Sequence, residues 1–383
     1  MKIPIFLYKS TQTKVYMKKE LDSVLRKFLG VENIVYSGRA ALGIYAALRV
    51  WGIHGTVAVS SAVCQDVVAA ILMAGWKPFF CDIDPETGNT KSSEWLRASK
   101  SGVNAAIVVH LFGNAANTLH ARNAFPNGLV IDDAAQALGA RLSKNSNLAG
   151  TDGDIGLISF GKSKQIEVGG AALLFKDEKF AKNCIEVLNS IVPASKDEII
   201  TAEFSFRQNL QRAREKLISH NDNSGFHRIL NDDYYSALRV SWKQEWCEKI
   251  ILNLSAYDDK LNKRREKVNL WLESIDGTGL VPIGMGEYSA PWRFACRLSG
   301  CNWQRQHTLG EAMRVKGLNV SHWYLPCHWQ ISSTELSLPG AEILSKEVFQ
   351  FWLDESIDNN EIINSKRTIN KIFNQTERSV YGS

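Results

Sequence analysis

The sequence predicts an α/β protein: a large domain on a mostly parallel sheet flanked by helices, followed by a smaller α/β domain. Three observations carry this reading. Between residues 33 and 175, apolar strand-like runs alternate with helical segments at the spacing of crossover units. The residues there with chemistry to offer, Arg39, Cys64, His110 and Asp133, each fall at a strand end or just beyond it. In such sheets ligands sit at those carboxyl ends. Past about 180 the alternation weakens and then returns as long helices around a β-rich piece, which sets a large domain at 1–245 and a small one at 246–383.

Taken in order, residues 14–30 form an amphipathic helix with Leu21, Val24, Leu25 and Phe28 at helical spacing. Asn33–Tyr36 is a strand that runs into Ser37-Gly38-Arg39-Ala40 and a helix to about Val50. A strand, a glycine turn and a helix start bring unpaired backbone N–H groups and the positive helix end to one point, a phosphate-binding geometry to which Arg39 adds charge. The plainer reading, a helix start capped by Ser37, is equally open on these residues. TVAVS (56–60), PFFCDID, NAAIVVH (104–110) and LVIDD (129–133) are further strands, with helices at 66–74 and 115–124 between them. Asn221–Gly225 is a loop. Helices follow at Trp242–Leu254 and Ser255–Leu272, then a β-rich piece at Ala290–Leu298, a helix at 303–316 and a last one at about 359–373.

Composition narrows the function classes. Apolar content of 45% and charged content of 22% are those of a globular protein. No run of about 18 apolar residues exists for a membrane span, and the amino terminus lacks a signal-peptide core, so the expected place is the cytosol. The net charge of +5 is mild, and the basic cluster KLNKRREK alternates into a solvated helix face, so no nucleic acid partner is expected. Seven scattered cysteines with no C-x-x-C pair support neither a disulfide framework nor a zinc site, and no metal is expected.

The stretch that organises the chain is GDIGLISFGKSKQIEVGGAALLF (153–175), two strands (Ile155–Phe160 and Ala171–Phe175) around a polar turn holding Lys162 and Lys164. A lysine between two apolar strands is placed for Schiff-base chemistry. Residues 156–163, GLISFGKS, also match the phosphate loop of nucleotide hydrolases, but LISF is strand-like and the residues after Ser163 lead to glycines and a strand, where that loop opens a helix. A second constellation links Asp133, a carboxylate after a buried strand in need of a cationic partner, with Gln136 one helical turn on, Ser159 at a strand end and the amine of Lys164. Each alone has a plain alternative, a helix N-cap for Asp133 and a solvated turn for the lysines. Together, an aspartate for a ring nitrogen, a lysine for an aldehyde and a glycine turn for a phosphate describe pyridoxal 5′-phosphate (PLP).

At this point the sequence resembles the DegT/DnrJ/EryC1/StrS aminotransferases, PLP enzymes that place amino groups on nucleotide-linked keto sugars. The resemblance covers about 30–180 and resumes at 320–355, through SGRAAL, AGWKPFFCDIDPETG, VVHLFGN, VIDDAAQALGA, GDIGLISFGKSKQIEVGGAALLF, YLPCHWQ and LPGAEILSKEVFQFWLD. It implies a fold-type-I PLP transferase, aspartate aminotransferase-like, forming a homodimer. It implies that Lys164, rather than Lys162, is the Schiff-base lysine and that Ser159 binds the cofactor phosphate. Asp133 is then the partner of the pyridine nitrogen, Gln136 the residue near the ring hydroxyl, and Gly38, Arg39 and Ala40 the segment whose backbone holds the phosphate. His328 matches a histidine near the sugar site. Three departures stand out. Cys64 occupies a place where many members stack an aromatic ring on the cofactor, Arg39 replaces the usual threonine, and the family's G-x-N-x-R-M segment is not recognisable in GFHRILNDDYYSALRV.

The implied activity is transfer of an amino group from an amino acid, with glutamate the expected donor, to a keto sugar in cell-surface polysaccharide or secondary-metabolite biosynthesis. The alternatives are a PLP enzyme of this family with a non-sugar carbonyl substrate, a regulatory or binding protein on the same fold, and the nucleotide hydrolase suggested by GLISFGKS.

Overall fold

The computed structural model describes residues 5–331 and 336–381. The first body alternates strands and helices: α1 (Ile5–Leu29), β1 (Asn33–Ser37), α2 (Ala40–Trp51), β2 (Thr56–Ser60), α3 (Gln65–Met73), β3 (Lys77–Cys81), α4 (Ser92–Lys100), β4 (Ala105–Val109), α5 (Thr118–Ala124), β5 (Leu129–Asp133), β6 (Ile155–Ser159) and β7 (Ala171–Phe175). These strands form a seven-stranded sheet in the order β1-β7-β6-β5-β4-β2-β3. Pairing is parallel from β3 through β6, and only β7 runs the other way, against both neighbours. The predicted mostly parallel sheet is therefore present.

Every residue of β4, β5, β6 and β7 is buried, as strands covered on both faces require. Alternate residues serve opposite layers. Ile107, Ile131, Leu157 and Leu173 pack with Ile44, Leu48 and Val68 of α2 and α3. Ile158, Ala172 and Leu174 pack with Leu21 and Leu25 of α1, and Ala106 and Val130 pack with Trp95 and Ala121. Removing one such side chain, for example Ile131→Ala, costs about 2–5 kcal/mol. The strand period of two then decides which way the consecutive aspartates 132 and 133 face.

The region 180–245, where the sequence pattern weakens, is mostly helical. It holds α6 (Glu178–Ser190) and α7 (Lys196–His220), followed by short 3-10 turns at Ser224–Phe226 and Asp232–Ala237. A capping box starts α7: Ser195 Oγ accepts from Glu198 N (3.2 Å) and Glu198 Oε2 accepts from Ser195 N (2.7 Å). Trp242, expected to open the next helix, instead stacks on Tyr36 at 4.6 Å. That helix, α8, spans Trp246–Ser255.

The second body follows with α9 (Tyr257–Ile275), β8 (Leu280–Pro282), β9 (Phe294–Leu298), α10 (Trp303–Val315), β10 (Val320–Ser321), α11 (Pro339–Glu347), β11 (Val348–Phe351) and α12 (Asn359–Tyr381). Its four-stranded sheet has the order β10-β11-β9-β8, all antiparallel. Trp271 of α9 stacks on Phe351 at 4.1 Å and joins Ile362 and Ile369 of α12 over that sheet. Helix α9 serves two cores. Tyr257 and Leu261 pack with Cys247 and Ile250 on the large sheet, while Val268, Trp271 and Ile275 pack on the small one.

Candidate active site

The lysine turn is built by its ends. Phe160 N donates to Gly170 O (2.9 Å), and Val168 N (2.9 Å) and Gly169 N (2.6 Å) both reach Phe160 O. Gly170 has φ +79°, and a Cβ there would lie 2.5 Å from the Trp242 ring, so only glycine fits. Lys164 N donates to Gly161 O (3.2 Å), and Ser163 takes a left-handed φ of 62° between the two lysines. Both lysines line a cavity of about 620 Å³ with Asp133, Gln136, Ser159, Gly38 and Cys64, but Lys162 is exposed at its edge whereas Lys164 is half-buried. The nucleotide-hydrolase reading of GLISFGKS fails here. LIS lies inside the buried strand β6, and no helix follows Ser163.

The paired aspartates separate in role. Asp132 faces the α5 layer, where its oxygens accept from His110 Nε2 (2.7 Å), Thr118 Oγ1 (2.8 Å), Gly150 N (3.0 Å) and Asp152 N (2.9 Å). Burial opposes its charge, but these donors outweigh burial and hold its pKa below the carboxylate range. His110 Nδ1 accepts from Ala116 N (2.8 Å), so this ring is a strut and does not line the cavity. Asp133 faces the other way. It accepts one backbone bond, from Ala135 N (2.9 Å), and has no ion-pair partner among the described residues. Burial pushes its pKa up, opposed by Ala135 N–H and the nearby Lys164 charge.

The opposite end of the cavity is formed by the start of α2. Gly38 packs so closely on Val240 that a Cβ would lie 1.9 Å from its carbonyl oxygen. Arg39 is the N-cap residue and offers no side-chain cap, and Ser37 Oγ donates to Arg39 O (2.8 Å) instead of capping. The first N–H groups of α2 are thus left to the cavity side. The Arg39 guanidinium bonds Glu203 of α7 (2.5 Å) and lies 3.7 Å from Asp66, whose carboxylate also accepts from Tyr234 Oη (2.6 Å). Ser159 Oγ accepts from Gly161 N (3.2 Å). Cys64 stands at the N-cap position of α3 in the cavity wall without a side-chain cap, and burial pushes its thiol up to about 12, so it stays protonated near neutrality.

Gln136 Oε1 accepts from Phe112 N (3.0 Å), and Gln165 Nε2 donates to Gln136 O (2.7 Å), fixing the wall beneath Asp133. His328 is fully enclosed. Its Nδ1 lies 2.7 Å from Ser61 Oγ, and it reaches the cavity only through the segment from Ser61 to Cys64. Sequence reasoning missed four residues near Lys164. The Tyr324 hydroxyl, within electrostatic reach of Cys64, Gln136 and Asp133, is buried without a hydrogen-bond partner. Trp292 donates its Nε1–H to Ser163 O and carries Lys164 Nζ over its ring at 5.6 Å. Arg264 and Arg293 lie beyond it, on the small-domain side. Tyr324 sits in the quoted block YLPCHWQ, but nothing in a single sequence marks the other three.

The profile of the DegT/DnrJ/EryC1/StrS aminotransferase family matches residues 8–214. The chain belongs to this family. It is 31% identical over 175 residues to the pleiotropic regulatory protein of Geobacillus stearothermophilus, covering 44% of this chain and 46% of that one. It is 24% identical over 357 residues to the dTDP-4-dehydro-2,3,6-trideoxy-D-glucose 4-aminotransferase of Saccharopolyspora spinosa, covering 87% and 83%. The first of these matches spans about half the length of the relative. Among solved structures, a DegT DnrJ EryC1 StrS aminotransferase from Brucella abortus superposes with a TM-score of 0.71 at 19% identity, over 93% of this chain and 90% of that one. This member of the family has, among its described residues, no helix long and apolar enough to cross a membrane.

Proposed function

We propose that this chain is a PLP-dependent aminotransferase that moves an amino group from an amino acid, glutamate being the expected donor, to a keto sugar, nucleotide-linked, in polysaccharide or secondary-metabolite biosynthesis. The observation that carries this is the pairing of Lys164 and Asp133 across one cavity. Two buried polar groups near it are thinly supplied among the described residues: the Asp133 carboxylate, with a single backbone donor, and the Tyr324 hydroxyl, which lies close to Gln136 but makes no hydrogen bond of good geometry. With the uncapped start of α2 they suit a group carrying a cationic ring nitrogen, a ring hydroxyl and a phosphate, so the residues fit PLP.

In this reading Asp133 would hold the ring nitrogen, Gln136 would lie near the ring hydroxyl, and Cys64 would lie against the ring. Ser159 with Gly38, Arg39 and Ala40 would hold the phosphate. Lys164 would hold the aldehyde carbon. The bound group supplies an electron sink for a carbanion next to nitrogen. Asp133 would keep that sink effective by remaining ionised beside the ring N–H. The Lys164 amine would take and return the proton on the amino acid's α-carbon. His328 acts as a positioning residue through Ser61. The proposed assembly is a homodimer in the cytosol. The proposed domains are a large PLP-binding domain at 1–245 and a small C-terminal domain at 246–383, with α8 and the start of α9 packing against the large one.

Borohydride treatment of the PLP-loaded protein is expected to fix the cofactor's mass on Lys164, and Lys164→Ala is expected to lose both that adduct and the visible absorption band. An unmodified Lys164 would overturn the reading. A second reading, a regulatory protein on this fold, is favoured by the name of the Geobacillus relative, a pleiotropic regulatory protein. It predicts cofactor binding without amino transfer to any of a panel of nucleotide keto sugars.

A further inference from the structure

Beyond Trp292, on the side of Lys164 away from Asp133, lies a second cavity of about 380 Å³. Its wall holds an arginine in an unusual state. The Arg293 guanidinium is sandwiched between Trp292 (4.3 Å to the ring centroid) and Trp352 (4.1 Å). Both faces of the planar cation are thereby used, and its rotation is blocked. Its N–H groups lie in the plane, free of the rings, and make no hydrogen bond or ion pair with any described residue. Burial lowers its pKa to about 10, with Tyr324 and Asp354 opposing.

No carboxylate among the described residues makes an ion pair with this guanidinium, although Asp354 acts on it electrostatically from across the cavity wall. Arg264 also faces this cavity, held by Nη1 donating to the carbonyls of Pro291 (3.3 Å) and Trp292 (3.1 Å). The two carboxylates in the wall are already engaged by backbone donors: Asp354 Oδ1 accepts from Ser356 N (3.0 Å) and Glu167 Oε2 from Ser163 N (2.9 Å). An immobilised guanidinium with an open fork of donors matches a pair of oxygens on a carboxylate or a phosphate.

We infer that Arg293, clamped between Trp292 and Trp352, is a substrate-anion subsite that takes a carboxylate or phosphate oxygen pair and sets the reacting carbon over Trp292 beside Lys164. This deepens the proposed function and rests on it, because Lys164 is the reacting group there. Two sources carry the shared chemistry: the carboxylates of the amino donor and the phosphates of a nucleotide-linked acceptor.

The two flanking indoles report on the site directly. Quenching of tryptophan fluorescence is measured on the holoprotein with glutamate and, separately, with a nucleoside diphosphate. The proteins compared are wild type, Arg293→Lys and Arg293→Gln, each first shown to melt within a few degrees of wild type. The expected result is saturable binding of at least one probe by wild type. That binding weakens more than about tenfold in Arg293→Gln, with Arg293→Lys between the two because it keeps charge but loses the fork. Loss for glutamate alone assigns the donor, loss for the nucleotide alone assigns the acceptor, and loss for both assigns a shared subsite. Binding unchanged by Arg293→Gln, or no binding of either probe by wild type, overturns the inference. The borohydride adduct at Lys164 separates the two failures. If it forms while Arg293→Gln has no effect, only the subsite falls. If it does not form while Arg293 still governs anion binding, only the transaminase reading falls.

Discussion

The two sides of Lys164 are opposites. Toward the large sheet its neighbour is a buried carboxylate, Asp133, that makes no ion pair with any described residue. Toward the small sheet it is a clamped guanidinium, Arg293, that likewise makes no ion pair with any described residue. Charges elsewhere nearby are matched: Asp132 has four donors, and Arg39 has Glu203 and Asp66. The contrast teaches that burial alone does not mark a functional charge. Burying an ion is costly unless the protein or a ligand supplies its counterpart. A charge the fold leaves unmatched is one whose partner arrives from outside.

The largest test of this contrast is Lys164→Ala, which should lower transamination by more than about a thousandfold, the scale of a positioned acid–base group. Steady-state assay with glutamate and a keto sugar measures it. Asp133→Asn comes next, with activity down roughly a hundredfold or more for lost electrostatic support. Its stability effect has the opposite sign. The folded pKa of Asp133 is raised, so its ionisation works against folding once pH exceeds the unfolded value of about 3.9. The cofactor-free Asn variant should therefore melt above wild type at neutral pH. The gap should close as pH falls toward that value, where Asp133 is protonated in both states. A melting curve lower than wild type at pH 7 would show that Asp133 is already matched.

β4 to β7 were legible because strands buried on both faces must be continuously apolar, and VIDD and the GG pair after Lys164 are local signals with local causes. Helix α7 was not: its buried residues are only Ala202, Phe206, Ala213 and Leu217, a thin stripe in a polar segment. Its S-K-D-E start was readable as a capping box and went unused. At the site, Asp133 could be picked by its place after a strand. That Asp132 and not Asp133 is matched depends on which face each occupies, and so on the register of β5 against β4 and β6. Arg293 was invisible because its clamp joins Trp292 to Trp352, 60 residues apart, through the pairing of β9 with β11.

Asp132→Asn tests the matched member of the pair. It removes the charge from a buried site that presents donors from His110, Thr118, Gly150 and Asp152, and one amide oxygen cannot satisfy them all. A loss of about 3 kcal/mol is expected from breaking a buried charged network, measured by urea denaturation. Because the folded pKa of Asp132 is lowered, its contribution is present above the unfolded value of about 3.9 and is lost as pH falls through the folded value. The wild-type advantage over the Asn variant should therefore shrink in acid, the reverse of the trend for Asp133.

The smallest effect sharpens the boundary between the two kinds of charge. Arg39 is matched by Glu203, yet it stands at the start of α2 where a phosphate is proposed to lie. Both side chains of that pair are about 31% exposed, so Glu203→Gln should change stability by less than about 1 kcal/mol. If Arg39 serves the phosphate, losing Glu203 removes a competitor, and PLP should bind a few-fold more tightly, with the gain fading at high salt as screening grows. If Arg39 is only a strut tying α2 to α7, PLP affinity should be unchanged or fall while the α7 contact loosens. Titrating PLP into the cofactor-free variant at two ionic strengths separates these outcomes. It asks whether a charge the fold has already matched can also be claimed by a ligand.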